Sequence, residues 1–208
     1  MIPLMLDLTE RHVAIFGGGE VGARKAAYFM AEADVEVISR SFSPAFESLP
    51  VRRRSMDLST ASDETLRQVL EGAALAVGAT SDPALNNRIG RICREMGIHF
   101  NNADGDVGDV LIPSVIRGEH YCIAVSTSGR SPAVPRYVRQ VLEKEIPDLD
   151  GMIELQSELR TALKERGVPR QRRAVILRAV LMDPEIRDLL AENRSKAYES
   201  AKKRYLDA

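Results

Sequence analysis

Gly17, Gly19 and Gly22 follow directly on the apolar run His12-Val13-Ala14-Ile15-Phe16, and a helical pattern opens at Glu20. Strand, tight turn and helix in that order is the context in which G-x-G-x-x-G binds a dinucleotide. Gly17 permits the turn, Gly19 lets the backbone approach a pyrophosphate, and Gly22 lets helix and strand pack closely. Unpaired N–H groups at the helix start, aided by the macrodipole, then hold the diphosphate. Gly17, Gly18, Gly19, Glu20, Val21 and Gly22 are therefore the expected cofactor loop.

The group that ordinarily binds the adenosine ribose is an acid about 20 residues further on, at the end of the second strand. Ser39-Arg40-Ser41 stands there instead, while Asp34 and Glu36 fall at that strand's start and middle. Arg40 can stack on adenine or accept a 2′-phosphate, or it is a solvated loop arginine; Ser39, Arg40 and Ser41 are kept as cofactor candidates. Ala79-Thr80-Ser81-Asp82 ends an apolar strand at the edge where open α/β sheets bind ligands. Ala79 and Thr80 are expected to line that cleft, the alternative being that Thr80 only starts the helix at Asp82-Pro83. Asn101-Asn102-Ala103-Asp104 ends the next strand at the same edge. Asp104 can work as an acid–base group or form an Asx-turn before Gly105, and with Asp106 and Asp109 nearby, spacing does not choose among the three. Thr127, Ser128, Gly129, Arg130 and Ser131 form a polar loop ahead of Pro132, suited to a carboxylate or phosphate or to capping a helix. Tyr198-x-x-x-Lys202 mimics the catalytic pair of short-chain dehydrogenases, but it lies in a charged terminal helix and reads as a solvated face.

Positioning these residues takes an alternation of strands and helices. Residues 12–16, 35–39, 73–80 and 98–102 read as strands, and 20–32, 60–71 and 83–96 as helices, which implies an α/β fold with a parallel, Rossmann-type sheet covered on both faces. Arg52-Arg53-Arg54 reads either as an edge strand or as a solvated charge run, the second being preferred. Beyond Asp104 the texture changes. Segments 110–116 and 121–125 read as two antiparallel strands, a helix runs over 132–145 with Pro135 in its first turn, and helices follow over 151–166, 169–182 and 184–205. The division is a nucleotide-binding domain over 1–112, a strand-containing region over 113–147 and a helical domain over 148–208.

With 208 residues, 44% hydrophobic, 28% charged and a net charge of −1, the chain is that of an ordinary soluble globular protein. The balanced charge gives no field for nucleic acid, and no apolar run is long enough for a membrane span. Cys93 and Cys122 show no metal or redox spacing and read as buried small residues of a cytoplasmic protein. Three histidines (His12, His99, His120) and no Trp offer no metal cluster, so no metal site is expected.

Set in order, Gly17-Gly18-Gly19-Glu20-Val21-Gly22-Ala23-Arg24-Lys25, Ala79-Thr80-Ser81-Asp82-Pro83-Ala84-Leu85-Asn86, Asn101-Asn102-Ala103-Asp104, Ile112-Pro113-Ser114 and Ala124-Val125-Ser126-Thr127-Ser128-Gly129-Arg130-Ser131-Pro132 resemble the siroheme synthase family, in particular its precorrin-2 dehydrogenases. The resemblance covers roughly residues 1–145. It implies NAD-dependent oxidation of precorrin-2 to sirohydrochlorin, with Asp104 at the place of the family's essential aspartate. It also implies a homodimer joined through the 113–147 region, and it makes a missing ribose acid ordinary. The polyanionic substrate would then meet Thr127, Ser128, Gly129, Arg130 and Ser131, with Arg136, Arg139 and the Arg170/Arg172/Arg173 group as further cations. Alternatives are an enzyme that also inserts ferrous iron, and a non-catalytic NAD-binding regulatory module.

Overall fold

The computed structural model describes residues 2–103, 108–146 and 148–207. The chain forms two compact units, residues 1–112 and 113–208.

The first unit is a five-stranded sheet of β1 (His12–Phe16), β2 (Asp34–Ser39), β3 (Arg52–Ser55), β4 (Ala73–Gly78) and β5 (His99–Asn102), in the order β3-β2-β1-β4-β5. Every pairing is parallel, and Phe16 stands opposite Ile38 on one side and Gly78 on the other. Because side chains alternate along a strand, the central β1 feeds both faces. Ala14 and Phe16 pack with Leu66, Leu70, Ile89 and Ile92, and these come from α2 (Asp63–Leu70) and α3 (Pro83–Met96). Val13 and Ile15 pack with Ala26 and Phe29 of α1 (Glu20–Phe29). Burial on both faces is why β1 and β4 read as continuous apolar runs rather than alternating ones.

Arg52-Arg53-Arg54 does form the edge strand, so the preference for a mere charge run is corrected. The Arg52 guanidinium lies 2.6 Å from Asp34 and that of Arg54 3.1 Å from Glu36, so these two β2 acids neutralise the edge. A charged edge also discourages pairing with other chains. Helix α2 begins three residues later than the pattern implied, because Ser62 rather than Thr60 caps it by accepting the Thr65 N–H at 3.1 Å.

The second unit opens with an antiparallel pair, β6 (Ser114–Arg117) and β7 (Cys122–Val125). Helices α4 (Ala133–Glu145), α5 (Leu149–Glu165), α6 (Arg170–Met182), α7 (Pro184–Glu192) and α8 (Arg194–Tyr205) follow. Pro135 sits in the first turn of α4, where its missing N–H costs no helical bond. Met152, Leu155, Leu159, Val180, Ile186, Leu190, Ala197 and Ala201 form the helical core. The expected single helix over 184–205 is two. Asn193 leaves the helical region (φ −162°, ψ 107°) and caps α8 by accepting the Lys196 N–H at 3.1 Å. Arg194, the next residue, then reaches Asp148 and Glu154 at 2.8 and 2.7 Å. Tyr198 packs against the helical core instead of lying on a solvated face. Cys93 is buried as expected, and burial pushes its thiol up to about 12; Cys122 is exposed, contrary to expectation.

Candidate nucleotide-binding site

The glycine turn is built by close approach. Gly17 has φ +123°, a conformation that side chains avoid, and a Cβ there would overlap the Ala79 carbonyl oxygen. A Cβ at Gly22 would overlap the Gly17 carbonyl, and one at Gly18 the Ser41 carbonyl. Gly19 differs, with open space where its Cβ would be. It is the N-cap of α1, and no side chain caps that helix. Free N–H groups beside open space at a helix start are what a diphosphate requires. Thus the residues present fit a dinucleotide.

The chain brings most of the sequence-derived candidates around this turn. Gly17 donates to the Ile38 carbonyl at 2.9 Å, Ala79 to the Phe16 carbonyl at 2.8 Å, and Ser43 to the Gly18 carbonyl at 2.8 Å. Gly17 to Gly22, Ser39 to Ser41, and Ala79 with Thr80 therefore converge where β2 and β4 flank β1, the point at which strand order reverses and open sheets bind ligands. Glu20 is exposed and Val21 half-buried in the first turn of α1. Arg40 is exposed, 3.5 Å from Asp57. Within α1, burial lowers the Lys25 ammonium's affinity for its proton and the neighbouring Arg24 lowers it further.

Thr80 points its chemistry inward. Its hydroxyl donates to Asn86 Oδ1 at 2.7 Å and accepts the Asp82 N–H at 3.2 Å, while Asn86 Nδ2 donates to the Thr80 carbonyl at 3.0 Å. The side chain thus serves the start of α3, and only the Thr80 backbone borders the glycine turn. Asn86 is fully buried and went unassigned from sequence; a polar residue between apolar Leu85 and Ile89 was the available signal. Ser43 was also overlooked. Its hydroxyl is buried with no partner, beside the same turn.

Asp104 and Asp106 lie outside the described residues. Asp109 is described, and β5 occupies it: Oδ1 accepts the Phe100 N–H at 2.6 Å and Oδ2 lies 3.3 Å from His99 Nδ1. Asn101 donates to the Val110 carbonyl at 2.8 Å, and its own Oδ1 is buried without a partner.

The Thr127–Ser131 loop belongs to the second unit. Thr127 Oγ1 donates to the Ser131 carbonyl at 2.8 Å and accepts the Ser131 N–H at 3.1 Å, and Ser126 Oγ accepts the Ser128 N–H at 3.1 Å. Ser128 and Gly129 both have positive φ, 52° and 81°. Two of the hydroxyls are thus spent on the turn itself, leaving Ser128, Gly129 and Arg130 exposed at its tip. The same unit gathers Glu119, His120 and Glu154, whose ligand atoms lie within 4.8 Å of one another. This grouping was not foreseen from the sequence, although the Arg194 guanidinium already occupies Glu154.

A parallel sheet, a glycine turn that only glycine can make, and an uncapped helix above it define an NAD(P)-binding Rossmann unit. A family model described as NAD(P)-binding matches residues 4–114. A precorrin-2 dehydrogenase of Methanosarcina barkeri is 43% identical over 205 residues, spanning 96% of this chain and 91% of that protein. A siroheme synthase of Nitrosospira multiformis is 33% identical over 177 residues, spanning 83% of this chain but 38% of the relative's own length. The solved structure of SirC, a precorrin-2 dehydrogenase, shares the fold with a TM-score of 0.68 over 98% of this chain and 100% of that one, at 23% identity. The chain belongs to the family of precorrin-2 dehydrogenases and siroheme synthases. Among the described residues no helix is long and apolar enough to cross a membrane.

Proposed function

We propose that this protein oxidises precorrin-2 to sirohydrochlorin with NAD, as a homodimer in the cytoplasm. The observation that carries this reading is 43% identity, along 96% of the chain, to a precorrin-2 dehydrogenase. The oxidation removes a hydride and a proton from the tetrapyrrole. NAD, when bound, supplies the hydride acceptor. The chain's part is to seat and orient it. Gly17 to Gly22 cradle the diphosphate against the α1 N–H groups, and Ser39, Arg40, Ser41, Ala79 and Thr80 border the bed. Asp104 takes the proton as general base, and the exposed tip Ser128-Gly129-Arg130, between Thr127 and Ser131, meets substrate carboxylates.

Residues 113–147 serve as the dimerisation region and 148–208 as the helical domain. Val134, Tyr137 and Val141 leave an apolar stripe on α4 that is 48%, 67% and 38% exposed. Their i, i+3, i+7 spacing places them on one face, and a second copy covers it at the least cost in water-exposed apolar area.

The test is anaerobic absorbance of precorrin-2 with NAD, wild type beside Asp104→Ala. A sirohydrochlorin spectrum from wild type, lost in the variant, is the expected result. No conversion with NAD still bound overturns the enzyme reading in favour of a regulatory module. Equal conversion by the variant removes Asp104 from the proton transfer.

A further inference from the structure

The helical unit holds a cavity of about 660 Å³ between α5 and α6. Ser157, Arg160, Thr161 and Lys164 line it from α5, and Arg170 and Arg173 from α6. The α5 residues recur at i, i+3, i+4 and i+7, which puts them on one helix face, and the α6 pair is spaced i, i+3. Four cations therefore converge, and no carboxylate lines the cavity.

The chain as a whole has 29 Lys and Arg against 30 Asp and Glu, so a pocket with four cations and no acid is a local departure from balance. Several arginines elsewhere are neutralised: Arg52, Arg88, Arg166 and Arg194 each hold a carboxylate within 2.8 Å. Among the described residues, Arg160, Lys164, Arg170 and Arg173 have no ion-pair partner. Arg173 is nonetheless held in place, because one of its terminal nitrogens donates to the Val168 carbonyl at 2.5 Å, leaving the rest of the fork free. Glu158 and Glu165 of α5 line an adjoining depression with Tyr198, which shares Ser157 and Thr161 with the cavity. The first turn of α6 carries no acid and no side-chain cap, which adds to the positive potential.

Cations left uncompensated around a cavity repel one another unless an anion joins them. Three of the four are arginines, whose planar forks match carboxylates bidentately. They stand in rows on two helices, with neighbours about 5–6 Å apart along each row. That spacing suits several acid groups carried at separate points of one large molecule better than a single compact phosphate.

We propose that this pocket binds acid side chains of the tetrapyrrole, through Arg160, Lys164, Arg170 and Arg173. The assignment rests on the reading of a carboxylate-rich tetrapyrrole as substrate. It also redraws the cationic group expected from sequence, since Arg160 and Lys164 line the cavity and Arg172 does not.

The test uses the full chain and the triple variant R160Q/K164Q/R170Q, which leaves the Arg173 contact to Val168 intact. Sirohydrochlorin is titrated anaerobically by absorbance, and NAD binding is measured in parallel on both proteins. The expected result is sirohydrochlorin affinity at least tenfold weaker in the variant, with a flatter salt dependence and unchanged NAD affinity. Equal sirohydrochlorin affinity in the two proteins overturns the proposal. So does a wild type that binds inorganic pyrophosphate in a manner sensitive to the triple substitution while sirohydrochlorin binding is insensitive to it. A wild type that fails to oxidise precorrin-2, yet whose sirohydrochlorin binding still falls tenfold on substitution, overturns the reaction and supports the pocket.

Discussion

Asp109 Oδ1 accepts the backbone N–H of Phe100 at 2.6 Å, tying the chain after β5 back onto that strand. The reverse bond, from the Asp109 N–H to the Phe100 carbonyl at 3.0 Å, closes the pair. Of the three aspartates that spacing leaves equivalent, this one is committed to structure. Asp109→Ala is expected to lower stability by about 1–2 kcal/mol, the range for losing an acceptor to a partly buried amide, while precorrin-2 turnover survives. Asp109→Asn, which keeps an acceptor oxygen, should recover most of the loss in a thermal melt. Loss of turnover in Asp109→Ala at full NAD binding would return this residue to the chemistry.

The glycines of the turn separate packing from ligand contact. Gly22→Ala drives a methyl into the Gly17 carbonyl, so both the melting temperature and NAD affinity are expected to fall. Gly19→Ala meets nothing within 4 Å and should melt as wild type does. Its methyl nevertheless occupies the space the diphosphate needs, and NAD affinity is expected to drop at least tenfold by titration calorimetry. Unchanged NAD affinity in Gly19→Ala would place the diphosphate elsewhere.

Asp150 anchors the β6–β7 turn, accepting the His120 N–H at 2.8 Å and the Glu119 N–H at 3.1 Å. The His120 N–H is the main reason its carboxyl lies below the ordinary 3.8; burial opposes it, and the Glu119 N–H, His120 and Arg194 add to the lowering. A carboxyl depressed in the folded state stabilises the fold above its unfolded value and loses that contribution as pH falls through the folded one. The Glu119 and His120 amide resonances are therefore expected to shift together on acidification, with a midpoint below 3.8. The step should vanish in Asp150→Ala.

The exposed stripe of α4 makes the proposed dimer testable. Tyr137→Asp with Val141→Asp places two charges where Tyr137 is 67% and Val141 38% exposed. A monomer should fold, because neither side chain belongs to a core, yet sedimentation should show dimers lost. An unaltered dimer would move the interface off α4.

Local pattern was enough for the parts of this protein governed by neighbours in sequence. The glycine turn at Gly17–Gly22, the strand at 12–16, most of the strand expected over 73–80, which ends at Gly78, and helix α3 were legible because burial period, turn chemistry and capping are short-range properties. The convergence of that turn with Ser39–Ser41 and Ala79–Thr80 followed from parallel pairing, which the strand–helix alternation already implied. What depended on distant residues was not legible. Whether Arg52 and Arg54 were solvated or paired turned on Asp34 and Glu36 in the adjoining strand. The Thr80 hydroxyl was claimed by Asn86, and Asp109 by Phe100, each through a contact that no spacing rule encodes. The break at Asn193 interrupted a pattern that stayed helical on both sides; there Asn193 caps α8, and Arg194 pairs with Asp148 and Glu154. The cationic pocket is the largest such case. Its residues come from two helices, and only their packing decides that Arg160 and Lys164 join Arg170 and Arg173 while Arg172 does not line the cavity. Sequence carries the short-range energies directly, whereas a side chain's partner across the fold is set by which surfaces the core brings together.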